Sequence, residues 1–408
     1  ASDWDAHRRY AVVFDAGSSG TRVMIYSWLD PAVAVRLNAT ADAQFPRIEK
    51  GTPDGVDWMH KVTPGLSSFG SRPEAVGKEH LQALLNFAGS IVPVSKWSGT
   101  PVYLFATAGL RLLSDDERRG VLSATCSAIR HAPQGFAMPD GCDRHIRMVS
   151  GEMEGLFGWL AVNYLMGMDA PSSPQTYGFL DMGGGSTQIA FEPTTAMAND
   201  YEADLVPVKL RTLGGKDVVF RVFSTSFLGF GVNEARRRYE QDVLFKEYPI
   251  APAHPADIPA PKDPCLPVDL VVPSRLPGYP DILGTGDLDV CLANQRPLLN
   301  KSMACTKQPC LFNGVSAPLD DFQRHRFVGI SEYWYTSHEL FHLTGGYSRA
   351  KYADAAQSLC AMSWSQITHD FEAGSWPRLS NLQDLQLKCF KAAWILTVLH
   401  DGFGVPRI

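Results

Sequence analysis

Apolar and polar positions alternate along this chain in a way that predicts strands and helices in succession. Tyr10-Ala11-Val12-Val13-Phe14 reads as a buried strand, followed by a polar turn and a second β-rich run, Val23-Met24-Ile25-Tyr26-Ser27-Trp28. The same order recurs downstream, where Tyr177-Gly178-Phe179-Leu180 leads through a turn to Ile189-Ala190-Phe191-Glu192. Between the two, Val76, Leu81, Leu84, Leu85, Phe87 and Ala88 recur at helical spacing from about Glu74 to Ile91, and Pro93 closes the helix. A strand from Pro101 to Ala106 runs into Thr107-Ala108-Gly109-Leu110-Arg111, and His145 to Ser150 forms another. Gly151-Glu152-Met153-Glu154-Gly155 then opens an apolar helix that ends near Gly167, with Pro171-Ser172-Ser173-Pro174 as a linker. Farther on, Val218 to Phe227 reads as strand, while Gly231 to Tyr239, Glu332 to Phe341 and Phe390 to Leu399 read as helices. Ten prolines from Pro249 to Pro280 predict an extended surface segment. The class is α/β, with a first lobe over 1–150 and a second over 151–408 that carries a proline-rich, disulfide-stapled insertion at about 245–310.

The two polar turns carry the candidate chemistry. They read Asp15-Ala16-Gly17-Ser18-Ser19-Gly20-Thr21-Arg22 and Asp181-Met182-Gly183-Gly184-Gly185-Ser186-Thr187-Gln188. Glycines permit positive φ and let main-chain N–H groups approach an anion, and the hydroxyls add donors, which suits phosphate. The aspartate beside each turn repels phosphate, so its work is to hold a divalent cation, directly or through water. One such turn is an ordinary β-turn; two copies suggest a duplication and two hairpins facing one phosphate chain. Thr107 stands where α/β folds place ligand groups, and equally where a helix places its N-cap. Glu152 and Glu154 could simply complement a helix dipole.

Composition narrows the class. With 408 residues, 45% of them hydrophobic, the chain can bury a large core in about two domains. The net charge of −6, with Arg236-Arg237-Arg238 as its only basic run, argues against nucleic acid or an anionic membrane as partner; that run reads as a solvated helix face. No apolar stretch approaches the roughly 18–20 residues that cross a bilayer, and Ala1-Ser2-Asp3-Trp4-Asp5 is not a signal peptide. The expectation is a soluble domain, with membrane contact only through segments outside this chain. The eight cysteines fall as Cys126/Cys142, Cys265/Cys291, Cys305/Cys310 and Cys360/Cys389 without a Cys-x-x-Cys pattern, favouring four local disulfides in an oxidising compartment over eight free thiols. Two N-glycosylation sequons, Asn38-Ala39-Thr40 and Asn300-Lys301-Ser302, fit a secretory route.

Taken in order, five segments resemble the conserved regions of the apyrase family, the nucleoside triphosphate diphosphohydrolases. They are Asp15 to Arg22, Ala106 to Arg111, Gly151 to Trp159 with Asn163-Tyr164-Leu165, Leu180 to Gln188, and Ser331-Glu332-Tyr333-Trp334-Tyr335. The wording is most like the fungal and Golgi lumenal branch. The resemblance implies a two-lobed actin-like (RNase-H-like) fold with the nucleotide in the cleft, and residence in the Golgi lumen or outside the cell. It implies hydrolysis of nucleoside tri- and diphosphates, with UDP, GDP, ATP and ADP as substrates. Ca²⁺ or Mg²⁺ would be held by Asp15 and Asp181 mainly through water. Glu154 would be the general base, Ser186 and Gln188 would place the water, and Thr107 would sit near the terminal phosphate. The remaining turn residues, Gly17, Ser18, Ser19, Gly20, Thr21, Arg22, Gly183, Gly184, Gly185 and Thr187, would cradle phosphates. The cysteine pairs agree with the family's lumenal disulfides. Where many cell-surface members carry a base-contacting Arg after Phe230-Gly231, this chain has Val232, and Gly229 replaces a common Cys; Trp334 or Tyr335 is left as a stacking platform for the base. Relatives also continue past the position of Ile408 with a segment that returns to the first lobe.

Two other functions compete. His338-Glu339-Leu340-Phe341-His342 matches a zinc protease pattern, but Ser348 stands where the longer motif has its third histidine. A non-catalytic nucleotide-binding module or a kinase on the actin or Hsp70 fold would share both hairpins. Glu154 with Ser186 and Gln188, a set suited to activating water, separates hydrolase from these.

Overall fold

The computed structural model describes residues 6–36, 45–52, 55–167, 176–248, 251, 254, 258–319, 321–379 and 381–407. The Asn38 sequon, the Pro171 to Pro174 linker and parts of the proline-rich stretch lie outside the described residues. The chain divides into two units, Ala1–Thr176 with Val206–Val222, and Tyr177–Leu205 with Phe223–Ile408.

The first unit is built on strands β1 (Arg8–Ala16), β2 (Thr21–Leu29), β3 (Ile48–Glu49), β4 (Met59–Val62), β5 (Val102–Ala106) and β6 (Ile146–Met148), in the order β3-β2-β1-β5-β6 with β4 also on β2. β1 and β2 are antiparallel, whereas β5 and β6 run parallel to β1 and to each other, so β1 and β5 end side by side. Strict alternation in β2 buries Val23 and Ile25 completely, beside Val12, Phe14, Val102 and Leu104. The helix Gln82–Ile91 covers them with Leu84, Leu85 and Ala88 and ends just before Pro93. A helix that the periodicity reading passed over, Asp115–Arg130, begins at a reciprocal capping box between Ser114 and Glu117.

The helix Gly151–Leu165 belongs to this unit, although the sequence boundary at residue 150 assigns it to the next. Its side chains explain the difference: Phe157 packs on Phe105 at 5.8 Å, and the Tyr164 hydroxyl donates to Pro46 O and accepts from Ile48 N–H. Trp159, fully buried, meets Phe220 at 5.6 Å within the same unit.

The second sheet has the order β14-β7-β8-β10-β9; of its strands, β7 (Tyr177–Met182), β8 (Ser186–Phe191), β14 (Arg326–Ser331) and the end of β10 (Asp217–Leu228), from Phe223 on, belong to the second unit, whereas residues 206–222, with most of β9 (Leu205–Arg211) and the start of β10, belong to the first. β8 is buried along its whole length, and the helix Lys388–Leu396 is nearly so. Phe227 stacks on Phe312 at 3.9 Å, with Phe230 and Phe403 edge-on around them.

Two expectations fail here. From residue 258 on, the proline-rich stretch is not a surface strap: β11 (Lys262–Asp263), β12 (Val271–Val272) and β13 (Ile282–Gly284) form a small sheet over a core of Phe245, Leu266, Leu270, Val272 and Ile282. Proline removes donors, but short strands between prolines still pair and bury their apolar neighbours. Nor is the arginine run a solvated face, because Arg236 is fully buried, its guanidinium donating to Glu240 and Asp263. Charge alone cannot reveal that two carboxylates, one of them 27 residues away, wait for it.

All eight cysteines form the four expected disulfides, with Cα–Cα separations of 4.9–6.0 Å. In the first unit Cys126, on the helix Asp115–Arg130, joins Cys142, the first residue of the short helix Cys142–His145. The two pairs assigned to the insertion differ in what they tie. Cys265, next to β11, joins Cys291 on the helix Leu288–Gln295, both fully buried, so this bond does staple the small sheet to the core. Cys305 and Cys310 are only five positions apart, so their bond closes its own loop and staples nothing else, which corrects that part of the expectation. Cys360–Cys389 closes a span of 29 residues between two helices, both cysteines being fully buried. Replacing both of these last two with alanine is expected to cost about 3–4 kcal/mol in chemical denaturation, from loop closure alone. No helix among the described residues is long and apolar enough to cross a membrane.

Candidate functional site

The two polar turns are the same structure built twice. In each, the aspartate lies directly across the hairpin from the residue seven positions on, Asp15 from Arg22 and Asp181 from Gln188. In each, the glycine N–H that opens the turn donates to the carbonyl three residues on at 3.0 Å: Gly17 to Gly20 and Gly183 to Ser186. None of the turn glycines has positive φ, contrary to the sequence argument. At Gly20 close approach excludes a side chain, since a Cβ would lie 2.7 Å from Val62 O.

A further glycine, absent from the predicted site, backs each turn. A Cβ on Gly65 would lie 2.5 Å from Ser18 O and 2.7 Å from Gly17 O; one on Gly231 would lie 2.4 Å from Ser186 N and 2.6 Å from Gly183 O. Behind the second turn, the helix Val232–Tyr239 points its first N–H groups at the turn carbonyls. Val232 N–H donates to Gly183 O, and the N–H groups of Asn233 and Glu234 donate to Gly184 O. In a trans peptide the carbonyl and the next N–H point opposite ways, so the N–H groups of Gly184 and Gly185 face away from the helix. Val232 is therefore a buried buttress rather than a base contact.

The hydroxyls divide. Ser18 is half-buried and Ser19 exposed. Thr21 and Thr187 occupy equivalent places and are both fully buried; Thr21 meets His80 Nε2 at 2.7 Å and Thr187 donates to Asp181 O at 2.6 Å. Both threonines therefore clasp the hairpins from inside, which corrects their assignment to phosphate. Ser186 and Gln188, alternate residues of β8, share a face, and Gln188 Nε2 donates to Ser186 Oγ at 2.7 Å and to Ser226 Oγ at 3.0 Å. Thr107 does not cap its helix; its N–H and hydroxyl both donate to Ala16 O, tying the end of β5 to the end of β1.

Asp15 is half-buried beside Arg22 at 3.4 Å. Burial raises its pKa, and Arg22 and Lys61 offset that only in part. The donors beside the turns are carboxylates and hydroxyls, and no group of three or more His, Cys, Asp or Glu side chains gathers to hold a metal among the described residues. Such a set fits a hard cation that keeps much of its water.

Glu154 lies in the first turn of the helix Gly151–Leu165, which Ser150 caps by accepting from Met153 N–H. It is half-buried and ion-paired with Arg111, while Glu152 is exposed. Because the helix has begun at Gly151, the two carboxylates lie about 200° apart and cannot serve one water.

The motif from Ser331 to Tyr335 follows β14, which pairs in parallel with β7 so that Ser331 lies opposite Met182. Ser331 holds a strained left-handed φ of 56° at that point. Glu332, buried, anchors the turn by accepting from Thr336 Oγ1 and from Lys388 and Lys391 at 2.9–3.0 Å. Burial alone would raise its pKa, but Lys391 and Lys388 outweigh it and hold the carboxyl down at about 2. A depressed pKa stabilises the fold above the unfolded value and loses that contribution as pH falls toward 2. Glu332→Gln is accordingly expected to cost about 3–5 kcal/mol near neutrality, by removing the carboxylate from buried Lys388 and half-buried Lys391, and to flatten the acid limb of Tm against pH. Trp334 is exposed and stacks on His338 at 4.0 Å, and Tyr335 is half-buried.

That stacking also disposes of the protease pattern. The helical turn ends at Leu340, and His342 has a left-handed φ of 55° and approaches Ser375 O, so the two histidines do not share one helical face.

A family model for the GDA1/CD39 (nucleoside phosphatase) family matches residues 2–408. The Golgi apyrases of Saccharomyces cerevisiae and Schizosaccharomyces pombe are each 37% identical to this chain over 98% of it, and the match spans 65% and 68% of their lengths. Nucleoside-diphosphatase mig-23 of Caenorhabditis elegans is 34% identical over 99% of the chain and 73% of its own length. A crystal structure of nucleoside triphosphate hydrolases from Neospora caninum covers 99% of this chain and 89% of its own, with a TM-score of 0.57 at 15% identity, which establishes a shared fold.

Proposed function

Since the chain belongs to the GDA1/CD39 (nucleoside phosphatase) family, we propose that it hydrolyses nucleoside tri- and diphosphates to monophosphate and phosphate by direct attack of water. The observation that carries this reading is the duplicated hairpin, with one carboxylate at the same register in each copy and a turn closed in each by the same glycine N–H bond to the carbonyl three residues on. Gly17, Ser18, Ser19, Gly20 and Arg22 in one copy and Gly183, Gly184, Gly185 and Ser186 in the other bind phosphate oxygens. Asp15 and Asp181 hold Ca²⁺ or Mg²⁺, mainly through water; bound there, the ion offsets phosphate charge. Glu154 takes a proton from water as the water oxygen bonds to the terminal phosphorus, and the bond from that phosphorus to the bridging oxygen breaks, leaving the shorter nucleotide. Ser186 and Gln188 orient the water and Thr107 lies by the terminal phosphate. The paired chemistry has no nucleophile poised for a covalent phosphoenzyme. UDP, GDP, ATP and ADP are the expected substrates. The names of the yeast relatives and the four disulfides support a Golgi lumenal or extracellular setting.

Phosphate release from a panel of nucleotides with Ca²⁺, Mg²⁺ or EDTA tests the proposal. Release should require the divalent ion and no second substrate; tight nucleotide binding without release would instead indicate a binding module. Because Val232 is buried and stacking by Trp334 or Tyr335 tolerates any base, kcat/KM should vary less than about 100-fold among bases, or about 2.7 kcal/mol. A larger preference would reveal a specific base contact.

A further inference from the structure

The four-residue helix Ala108–Arg111 touches two parts of this chemistry that lie far apart in sequence. Thr107 before it is tied to Ala16 O, Gly109 lies so close to the first turn that a Cβ would sit 2.9 Å from Ser18 Cα, and Arg111 at its end pairs with Glu154. We propose that Arg111 is a positioning residue for the water-activating carboxylate, fixing Glu154 in place relative to the first phosphate turn. This rests on Glu154 being the base, as argued above.

Three features support it. The pair is shielded, with 10% of the Arg111 side chain and 21% of the Glu154 side chain exposed, so it is screened less than a surface bridge. A glutamate has three rotatable bonds, and a planar guanidinium restrains its carboxylate in a way that a helix alone cannot. Finally, one short element sets both ends: the residue that backs the turn and the residue that holds the base are two positions apart, so base and phosphate cannot drift independently. The competing role is direct contact with phosphate, for which Arg111 retains a buried Nε–H without a partner.

A double-variant cycle separates the two. Wild type, Arg111→Met, Arg111→Lys, Glu154→Gln and Arg111→Met/Glu154→Gln are assayed on UDP with saturating Mg²⁺, and thermal unfolding is followed for each. Arg111→Met is expected to lower kcat about 10–100-fold with KM within about threefold. Arg111→Lys should recover part of the loss, and on the Glu154→Gln background Arg111→Met should cost less than about threefold. An undiminished effect on that background, or one confined to KM, overturns the proposal in favour of phosphate contact. Should Arg111→Met fail to fold, Arg111→Gln takes its place, and near-wild-type kcat in that folded variant overturns the proposal. Near-normal kcat in Glu154→Gln alone is a different result, which removes the base assignment itself and this role with it.

Discussion

Glu154→Gln is expected to lower kcat by about 10²–10⁴-fold, the usual contribution of a general base, with little change in nucleotide affinity. Glutamine keeps the size and a hydrogen-bonding oxygen but cannot take the proton. On the proposed reading, binding is left to the phosphate turns and the cation, in which Glu154 has no part. Glu152→Gln is the internal control: it removes an equal charge from the same helical turn, but from an exposed position about 200° away. Asp15→Asn and Asp181→Asn should weaken metal-dependent binding as well as turnover. Loss of kcat in Glu152→Gln with normal kcat in Glu154→Gln would reverse the assignment without touching the enzyme class.

Gly231→Ala is expected to be nearly as damaging, at a residue that contacts neither water nor metal on our reading. Its added methyl would lie 2.4 Å from Ser186 N, 2.5 Å from Gly184 C and 2.6 Å from Gly183 O, all main-chain atoms with no rotamer to yield. The turn must shift or the helix behind it must withdraw. Overpacking of this kind costs about 1–3 kcal/mol of stability, and displacing a phosphate cradle by about 1 Å costs about 10²-fold in kcat/KM. Gly346→Ala, with open space around the Cβ and no positive φ, should be close to neutral. If folded Gly231→Ala kept its kcat/KM within about threefold, the second turn would not be the phosphate cradle.

By itself the sequence determined the paired hairpins, the order of the elements around them and the partners of Cys126, Cys265, Cys305 and Cys360, namely Cys142, Cys291, Cys310 and Cys389. It also singled out Glu154 as the candidate base. These follow from local rules: strand alternation, turn composition, cysteine spacing and family motifs, each confined to short stretches of chain. What only the tertiary structure decided is where side chains on distant segments meet. Gly65 and Gly231 back the turns, Arg111 reaches Glu154, Lys388 and Lys391 neutralise Glu332, and Arg236 is buried on Asp263 instead of facing solvent. Nothing local distinguishes a glycine kept for close packing from one kept for a turn, or a paired buried arginine from a solvated one. The free energy that separates them is the contact energy with a partner supplied by another element, so it exists only once the chain has folded. Thr21 and Thr187 show the same limit from within the motif. Strand parity turns both inward, and only the neighbours there, His80 and the Asp181 carbonyl, reveal that the hydroxyls are already taken.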